Sequence, residues 1–442
     1  MKLFRLSAIL VVALLVLAAC QPGGGGASGS PEETVAASEG GASPAESEAA
    51  GGDPETVCAD DEFGCAEYAE GDPIKVAMAV SLSGDTSFLG LDSKYGAQVA
   101  ADERGEVAGH EIELVDEDAG CGDAASGQTA AQAIVSDESI VAAIGTTCSR
   151  TAVPAMPVLA DAGVTMISPS NTAPSLTNPD SEDYGGDFYA RTAYNDKVQG
   201  AAVAQFACEE LGVTTAATIH DGSPYAEQLQ QVFADEFAEQ CDGTITAQEA
   251  INVGDTDMRP VLTTIAADSP EFLFFPIFDP EGPLVAIQSQ EVPGLEDTIL
   301  AGADGVKDDG FIEAAGDVAE EVGMYFSGPD LNFGDKYENE FIPAYNEISG
   351  EDGPIAPYHA HAYDAANIIF DAIEAVGIEG DDGTLYVPRT ALRDYVRGLK
   401  DYEGLTGTLT CDEYGDCADP EVSIAQLENG EFVEVFTTRD QE

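Results

Sequence analysis

The chain has 442 residues, of which 83 are acidic and 16 basic, for a formal net charge of −67, and 44% are hydrophobic. A field of that sign repels polyanions and excludes nucleic acid as a partner, while the length and apolar content suffice for two folded domains. Self-repulsion on this scale destabilises a compact state at low ionic strength. The composition therefore fits a salty medium, although a merely solubilising surface would carry the same acids.

The N-terminus carries Lys2 and Arg5, then an apolar run from Leu6 to Leu17, then Ala18, Ala19 and Cys20. That order reads as a signal peptide over residues 1–19, too short to span a bilayer comfortably. Small residues before a cysteine resemble a bacterial lipobox, which makes Cys20 the lipidated first residue of the mature chain and ties it to the membrane. The alternative is an ordinary secretory signal with an incidental cysteine. Residues 20–73 are predicted to be a flexible acidic Gly/Ser/Pro-rich tether, since 21–57 hold almost no large apolar side chain. Of the nine cysteines, eight remain once Cys20 is set aside, an even number that in an exported protein points to disulfides. Sequence order suggests Cys58 with Cys65, Cys121 with Cys148, Cys208 with Cys241, and Cys411 with Cys417. A zinc site is the competing reading, but no C-x-x-C pair occurs, and His359 and His361 sit two apart on a predicted helix, facing different ways.

From Pro73 the chain alternates. Ile74–Val80 suits a buried strand, Ser93–Arg104 a helix, Glu111–Val115 a strand, Ala124–Val135 a helix, Ile140–Ile144 a strand, Thr151–Ala162 a helix and Val164–Ile167 a strand. After Phe188–Thr192 a second series begins: helix Val198–Leu211, strand Ala216–Ile219, helix Tyr225–Glu239, strand Thr244–Ala247, helix Met258–Ala267, strand Phe272–Phe275, helix Pro283–Ser289 and strand Thr298–Leu300. Two runs of strand, crossover helix and strand imply an α/β protein with two doubly wound parallel-sheet lobes. No apolar stretch after the signal is long enough for a membrane span.

Ligands of open parallel sheets bind beyond the carboxyl ends of strands, where helix N-termini offer free N–H groups. Gly145 to Ser149 follow one strand and Ser168 to Thr172 the next, both rich in hydroxyls, and together they could cradle a carboxylate without a cationic side chain. Ser149 and Thr172 could equally be plain helix N-caps, and taken alone capping is the commoner role. Arg150 could reach an acidic ligand, but a surface pairing with a nearby carboxylate is the commoner fate of such a residue.

The runs Ile144-Gly145-Thr146-Thr147-Cys148-Ser149 and Met166 to Thr177, with Leu82-Ser83-Gly84, Arg191-Thr192 before Asp196, Gln199 and Gly200, His220-Asp221 before Tyr225, and Tyr363-Asp364-Ala365, resemble the leucine/isoleucine/valine-binding protein family. These are the type I periplasmic solute-binding proteins of ABC transporters. The resemblance runs in order from Ile74 to the C-terminus. It implies lobe one over 74–191 and 328–405, lobe two over 192–327 and 406–442, and a three-strand hinge near Thr192, Gly328 and Thr406. It implies that Ser149, Ser170 and Thr172 grip a ligand α-carboxylate, that Tyr225 and Asp304 stand near its α-ammonium, and that Phe88 or Leu89 and Phe278 line a side-chain pocket. It also pairs Cys121 with Cys148. Asp304 replaces a longer glutamate and Phe278 a tyrosine of the family, so the ammonium geometry is expected to differ. A zwitterion taken out of water needs both charges met, which suits an acid opposite a hydroxyl-rich loop.

The function implied is capture of a branched-chain or related amino acid by a monomeric, extracytoplasmic lipoprotein for delivery to ABC permease subunits, with no metal, no cofactor and no covalent chemistry. The alternatives are a ligand-sensing receptor domain, or a binder of a non-amino-acid amide or aromatic acid. A hydrolase fits poorly, because Ser149 lies in Thr-Cys-Ser-Arg-Thr and not in the Gly-x-Ser-x-Gly setting of a nucleophile elbow. The charge itself generates a prediction: the thermal midpoint should rise as sodium chloride screens the surface acids, and a flat or falling midpoint across a salt series would show that they are already compensated.

Overall fold

The structure, a computed structural model, describes residues 52–441. The signal peptide, Cys20 and the first part of the tether lie outside the described residues. Apolar runs without alternation become strands covered on both faces: Ile74–Val80 is buried at all positions but Lys75, and Ile140–Gly145 throughout. They are central in a six-stranded sheet with the spatial order Glu106–Val107, His110–Asp118, Ile74–Val80, Ile140–Gly145, Thr165–Ser168, Tyr189–Arg191. All its pairings are parallel except that of the short edge strand Glu106–Val107. A seven-stranded sheet follows the order Glu431–Thr437, Val422–Glu428, Tyr325–Pro329, Ile299–Gly302, Phe272–Phe275, Thr215–His220, Thr244–Ala250. There only the two last strands of the chain pair antiparallel.

Each sheet is sandwiched by helices, and the two-residue period of a strand divides its side chains between the two layers. Phe272 and Phe274 pack into one core with helices Asp196–Gln205 and Pro224–Cys241, whereas Leu273 and Phe275 pack into another with Arg259–Ala266 and Glu281–Ser289. On the six-stranded sheet, helices Ser87–Arg104 and His359–Val376 cover Val76 and Met78, and helices Ala124–Ser136 and Ser149–Asp161 cover Ala77 and Ala143. These helix pairs approach closely because of glycine: a Cβ on Gly96 would come within 1.9 Å of the His359 carbonyl oxygen, and one on Gly127 within 2.1 Å of that of Thr151.

Three differences from the sequence reading have physical reasons. Residues 54–68, assigned to the tether on composition, form helix Pro54–Asp60 and strand Cys65–Tyr68, which pairs antiparallel with Leu385–Pro388. A few contacts suffice: the Cys58–Cys65 bridge, Phe63 edge-on to Phe188 at 4.9 Å, and Asp61 accepting hydrogen bonds from the Thr390 N–H and hydroxyl. Gly328 and Pro329 lie in the seven-stranded sheet, paired with Ser423 and Val422. Leu409, Cys411 and Cys417, assigned beyond the third crossing, bury into the core of the six-stranded sheet.

Four disulfides are formed, Cys58–Cys65, Cys121–Cys148, Cys208–Cys241 and Cys411–Cys417, the pairs that sequence order suggests. Cys121–Cys148 ties the loop after His110–Asp118 to the residue that opens helix Ser149–Asp161. Replacing both cysteines with serine should lower the unfolding free energy by about 2–4 kcal/mol. Denaturant melts of the variant against the oxidised parent will check this, and equal midpoints would show the bridge to be energetically idle.

Candidate functional site

Six of the eight predicted ligand residues, Leu89, Ser149, Ser170, Tyr225, Phe278 and Asp304, meet around one enclosed cavity of about 10 Å3, joined there by Thr147, Cys148 and Tyr358. Thr172 is buried close by, without appearing on the cavity wall. Phe88, the alternative to Leu89, lines the neighbouring cleft with Lys307 and Asp308 instead.

The hydroxyl-rich side is built by two loops stitched together. The Ser168 Oγ donates to the Thr146 carbonyl at 2.9 Å and accepts from the Asn171 N–H at 2.9 Å, and the Asn171 amide donates to the same carbonyl at 2.8 Å. Ser170 Oγ donates to the Thr147 carbonyl at 2.9 Å. Neither Ser149 nor Thr172 caps a helix: the N-cap position before Ser149–Asp161 is Cys148, and that before Pro174–Thr177 is Ala173. Ser149 Oγ accepts from the Ala173 N–H at 3.3 Å, and Thr172 Oγ1 is buried without a hydrogen-bond partner.

Beneath these loops lies Arg191, which is fully buried. Its Nη1 donates to the carbonyls of Asn171 and Ala173, each at 3.0 Å, so it grips the chain on both sides of Thr172. Its Nη2 donates to Thr177 Oγ1 at 2.8 Å and its Nε to Asp416 Oδ1 at 2.5 Å. The sequence reading took Arg191 only as part of a motif, and its partner Asp416 is 225 residues away, so no local pattern exposes the pair.

The acidic side is centred on Asp304, buried to 4% exposure at the end of strand Ile299–Gly302. Oδ1 accepts from the Tyr225 hydroxyl and the Gln199 amide, both at 2.9 Å, and Oδ2 from the Tyr358 hydroxyl at 3.0 Å. Burial raises its carboxyl above the ordinary range, and these three donors partly pull it back. Burial, and next the charge of Asp304, raise the Tyr225 hydroxyl well above its usual value, so it stays a donor. The Phe278 ring sits 5.2 Å from that of Tyr225.

Tyr358, on the cavity wall, is a residue that no sequence motif singles out. It stands at the start of helix His359–Val376, where its N–H donates to Asp92 Oδ2 at 2.8 Å. Asp92 also accepts from the Tyr345 hydroxyl at 2.8 Å and faces His359 Nδ1 at 3.2 Å. Tyr358 thus reaches from the helices of one sheet to an acid carried by the other. Two further contacts make the same crossing: Ser175 with Gln228, and Arg150 with Asp221, the latter pair 3.5 Å apart. Arg150 therefore has the carboxylate partner anticipated for it. Among the described residues no group of His, Cys, Asp and Glu could hold a metal ion, and no helix is long and apolar enough to cross a membrane.

Arg191→Met should leave the carbonyls of Asn171 and Ala173 and the Asp416 carboxylate without their buried cation, at a cost of roughly 3–5 kcal/mol of stability. Chemical denaturation measures it, and a loss within the range of ordinary surface substitutions would mean that water or a rearranged loop replaces the guanidinium.

Residues 73–431 match the periplasmic binding protein family. The leucine-, isoleucine-, valine-, threonine- and alanine-binding protein of Pseudomonas aeruginosa is 29% identical over 348 residues, 78% of this chain and 87% of that protein. The leucine binding protein LivK of Thermotoga maritima superposes with a TM-score of 0.73 at 25% identity, over 83% of this chain and 99% of that one. A Rhodopseudomonas palustris solute binding protein in complex with 4-hydroxybenzoate shares the fold at a TM-score of 0.70 and 19% identity, over 83% and 97% of the two chains. With two sheets converging on one buried polar cavity and a match over most of its length, the chain belongs to the periplasmic binding protein family, extracytoplasmic proteins that bind small solutes.

Proposed function

We propose that this protein captures a branched-chain or related amino acid between two lobes and delivers it to the membrane subunits of an ABC transporter. The observation that carries the reading is the pairing of opposite chemistries around one cavity: hydroxyls of Ser149 and Ser170 on one side, and the carboxylate of Asp304 with the Tyr225 hydroxyl on the other. A zwitterion needs both, since leaving either charge unpaired in a buried site is costly. Leu89 and Phe278 would pack the side chain. The names of the Pseudomonas and Thermotoga relatives point to the same ligand class.

In this reading the lobes are the expected 74–191 with 328–405 and 192–327 with 406–442, altered so that Gly328 and Pro329 go with the second lobe and Leu409, Cys411 and Cys417 with the first. A cavity of about 10 Å3 has room for roughly one water, so an amino acid enters only after the two halves separate. Separation breaks Tyr358 from Asp304, Arg150 from Asp221 and Ser175 from Gln228, and ligand contacts then draw the halves together by their differential affinity for the shut form. Cys20 would hold the mature monomer to the membrane by its lipid, and the tether would let it reorient toward its permease. Capture and release leave the covalent structure of the ligand unchanged.

A thermal-shift screen in high salt tests the ligand class, because a ligand of the folded state raises the midpoint by mass action. Leucine, isoleucine or valine should raise it, and benzoates, which lack an ammonium, should not; the reverse result would transfer the protein to the aromatic-acid binders. Asp304→Ala should weaken amino-acid binding by on the order of 2–5 kcal/mol. Unchanged affinity in calorimetry would remove Asp304 from the site.

A further inference from the structure

Asp196 is the first residue of helix Asp196–Gln205 and is fully buried, yet neither of its carboxylate oxygens has a hydrogen-bond partner. Its backbone N–H donates to the Thr172 carbonyl at 2.9 Å, and the Thr172 hydroxyl, likewise buried and without a well-formed hydrogen bond, is the one side-chain donor that favours the Asp196 carboxylate. The groups whose charge acts on Asp196 are Asp304 from the end of strand Ile299–Gly302 and Arg191 from strand Tyr189–Arg191. Asp196 acts in turn on the hydroxyls of Tyr194 and of Tyr225, the latter on helix Pro224–Cys241. Asp196 therefore lies within electrostatic reach of Asp304 and Tyr225, one helical turn before the Gln199 amide that bonds Asp304, just behind the cavity that Asp304 and Tyr225 line.

A carboxylate in such a place needs several donors, and every neighbouring donor but the Thr172 hydroxyl is committed elsewhere. Arg191 hydrogen bonds to Asp416, Thr177 and two carbonyls. Tyr225 and Tyr358 donate to Asp304, and Tyr194 to the Gln199 amide oxygen at 2.9 Å. Burial, then the charge of Asp304, raise the Asp196 carboxyl well above the usual carboxylate range. The Asn195 side chain, which accepts from the Lys197 N–H, already caps the helix, so capping does not account for Asp196.

We infer that Asp196 is a second carboxylate of the ligand site, gripping the ammonium of the captured amino acid jointly with Asp304, and that it enters the complex by giving up a proton. The inference rests on the proposed amino-acid reading. In the free protein Asp196 carries its proton, because burial disfavours its charged form and the nearby charge of Asp304 adds to that cost. When the ammonium arrives its three N–H groups supply the missing donors. The Asp196 O–H bond then breaks, the proton passes to solvent, and the electron pair stays on the carboxylate as counter-charge to the ligand. An ammonium is thereby required twice over, which selects amino acids against carboxylic acids of the same shape.

The test is titration calorimetry of the mature protein with L-leucine, L-isoleucine and L-valine at neutral pH, in buffers of different ionisation enthalpy. The slope of binding enthalpy against buffer enthalpy should report release of a fraction approaching about one proton per ligand. Asp196→Asn, similar in size and already neutral, should abolish that release and weaken binding roughly tenfold or more. Asp304→Asn should weaken binding and, by removing the second charge, diminish the release without abolishing it, since burial still favours the protonated Asp196. Isocaproate, which is leucine without its amine, should neither bind tightly nor release a proton. Tight binding with no buffer dependence, or an Asp196→Asn variant with unchanged affinity and proton release, overturns the inference and leaves the amino-acid reading standing. The buffer series needs no variant, so misfolding of one cannot hide the answer. Failure of all three amino acids to bind overturns both readings.

Discussion

The site depends on one electrostatic constraint: a carboxylate, Asp304, held at 4% exposure at the carboxyl end of a parallel strand. A charge so placed is tolerable only if donors surround it. Those donors come from three separate parts of the chain: Gln199 just past the first crossing, Tyr225 on the helix after strand Thr215–His220, and Tyr358 from the helices of the other sheet. Asp304 is therefore a clasp between halves, and in the proposed function it is the recognition group as well. An ammonium that takes the place of the Tyr358 hydroxyl exchanges a neutral donor for a charged one, the stronger of the two kinds of hydrogen bond.

The opposite wall follows a different rule. Its polar groups are held by backbone and by each other, with Ser168, Asn171 and Arg191 locking the two loops from below. No cationic side chain lines the cavity. An anionic group there would be met by hydroxyls and by N–H groups at the start of helix Ser149–Asp161, whose partial positive charge suits a carboxylate. In the proposed complex, hydroxyls on one side and acids on the other would divide a zwitterion between two bodies, neither of which alone would hold more than one end.

Much of this was legible in the sequence. Uniform apolar runs such as Ile140–Ile144 announced strands buried on both faces, and the loops after them announced the site, because parallel sheets place free N–H groups there. Six of the ligand residues read from the family resemblance meet at one cavity. What escaped was of three kinds. Strands Tyr325–Pro329, Val422–Glu428 and Glu431–Thr437 were not assigned, for they lie beyond the alternating strand–helix series, and the last two join the sheet by antiparallel pairing at one edge. Tyr358, Asp196 and the Arg191–Asp416 pair act through partners tens to hundreds of residues away, and tertiary contact, not periodicity, gives them their meaning. The chain near residues 54–68 escaped because a disulfide and a few docked side chains order a segment whose composition alone reads as linker.

The central claim is that a ligand joins two halves, each of which satisfies one end of it. Small-angle X-ray scattering of the mature protein with and without saturating L-leucine addresses this most directly. The account predicts a smaller radius of gyration in the complex, because only the shut form completes both sets of contacts. An equal radius at proven saturation, with leucine contacting one half alone in a crystal of the complex, would contradict it.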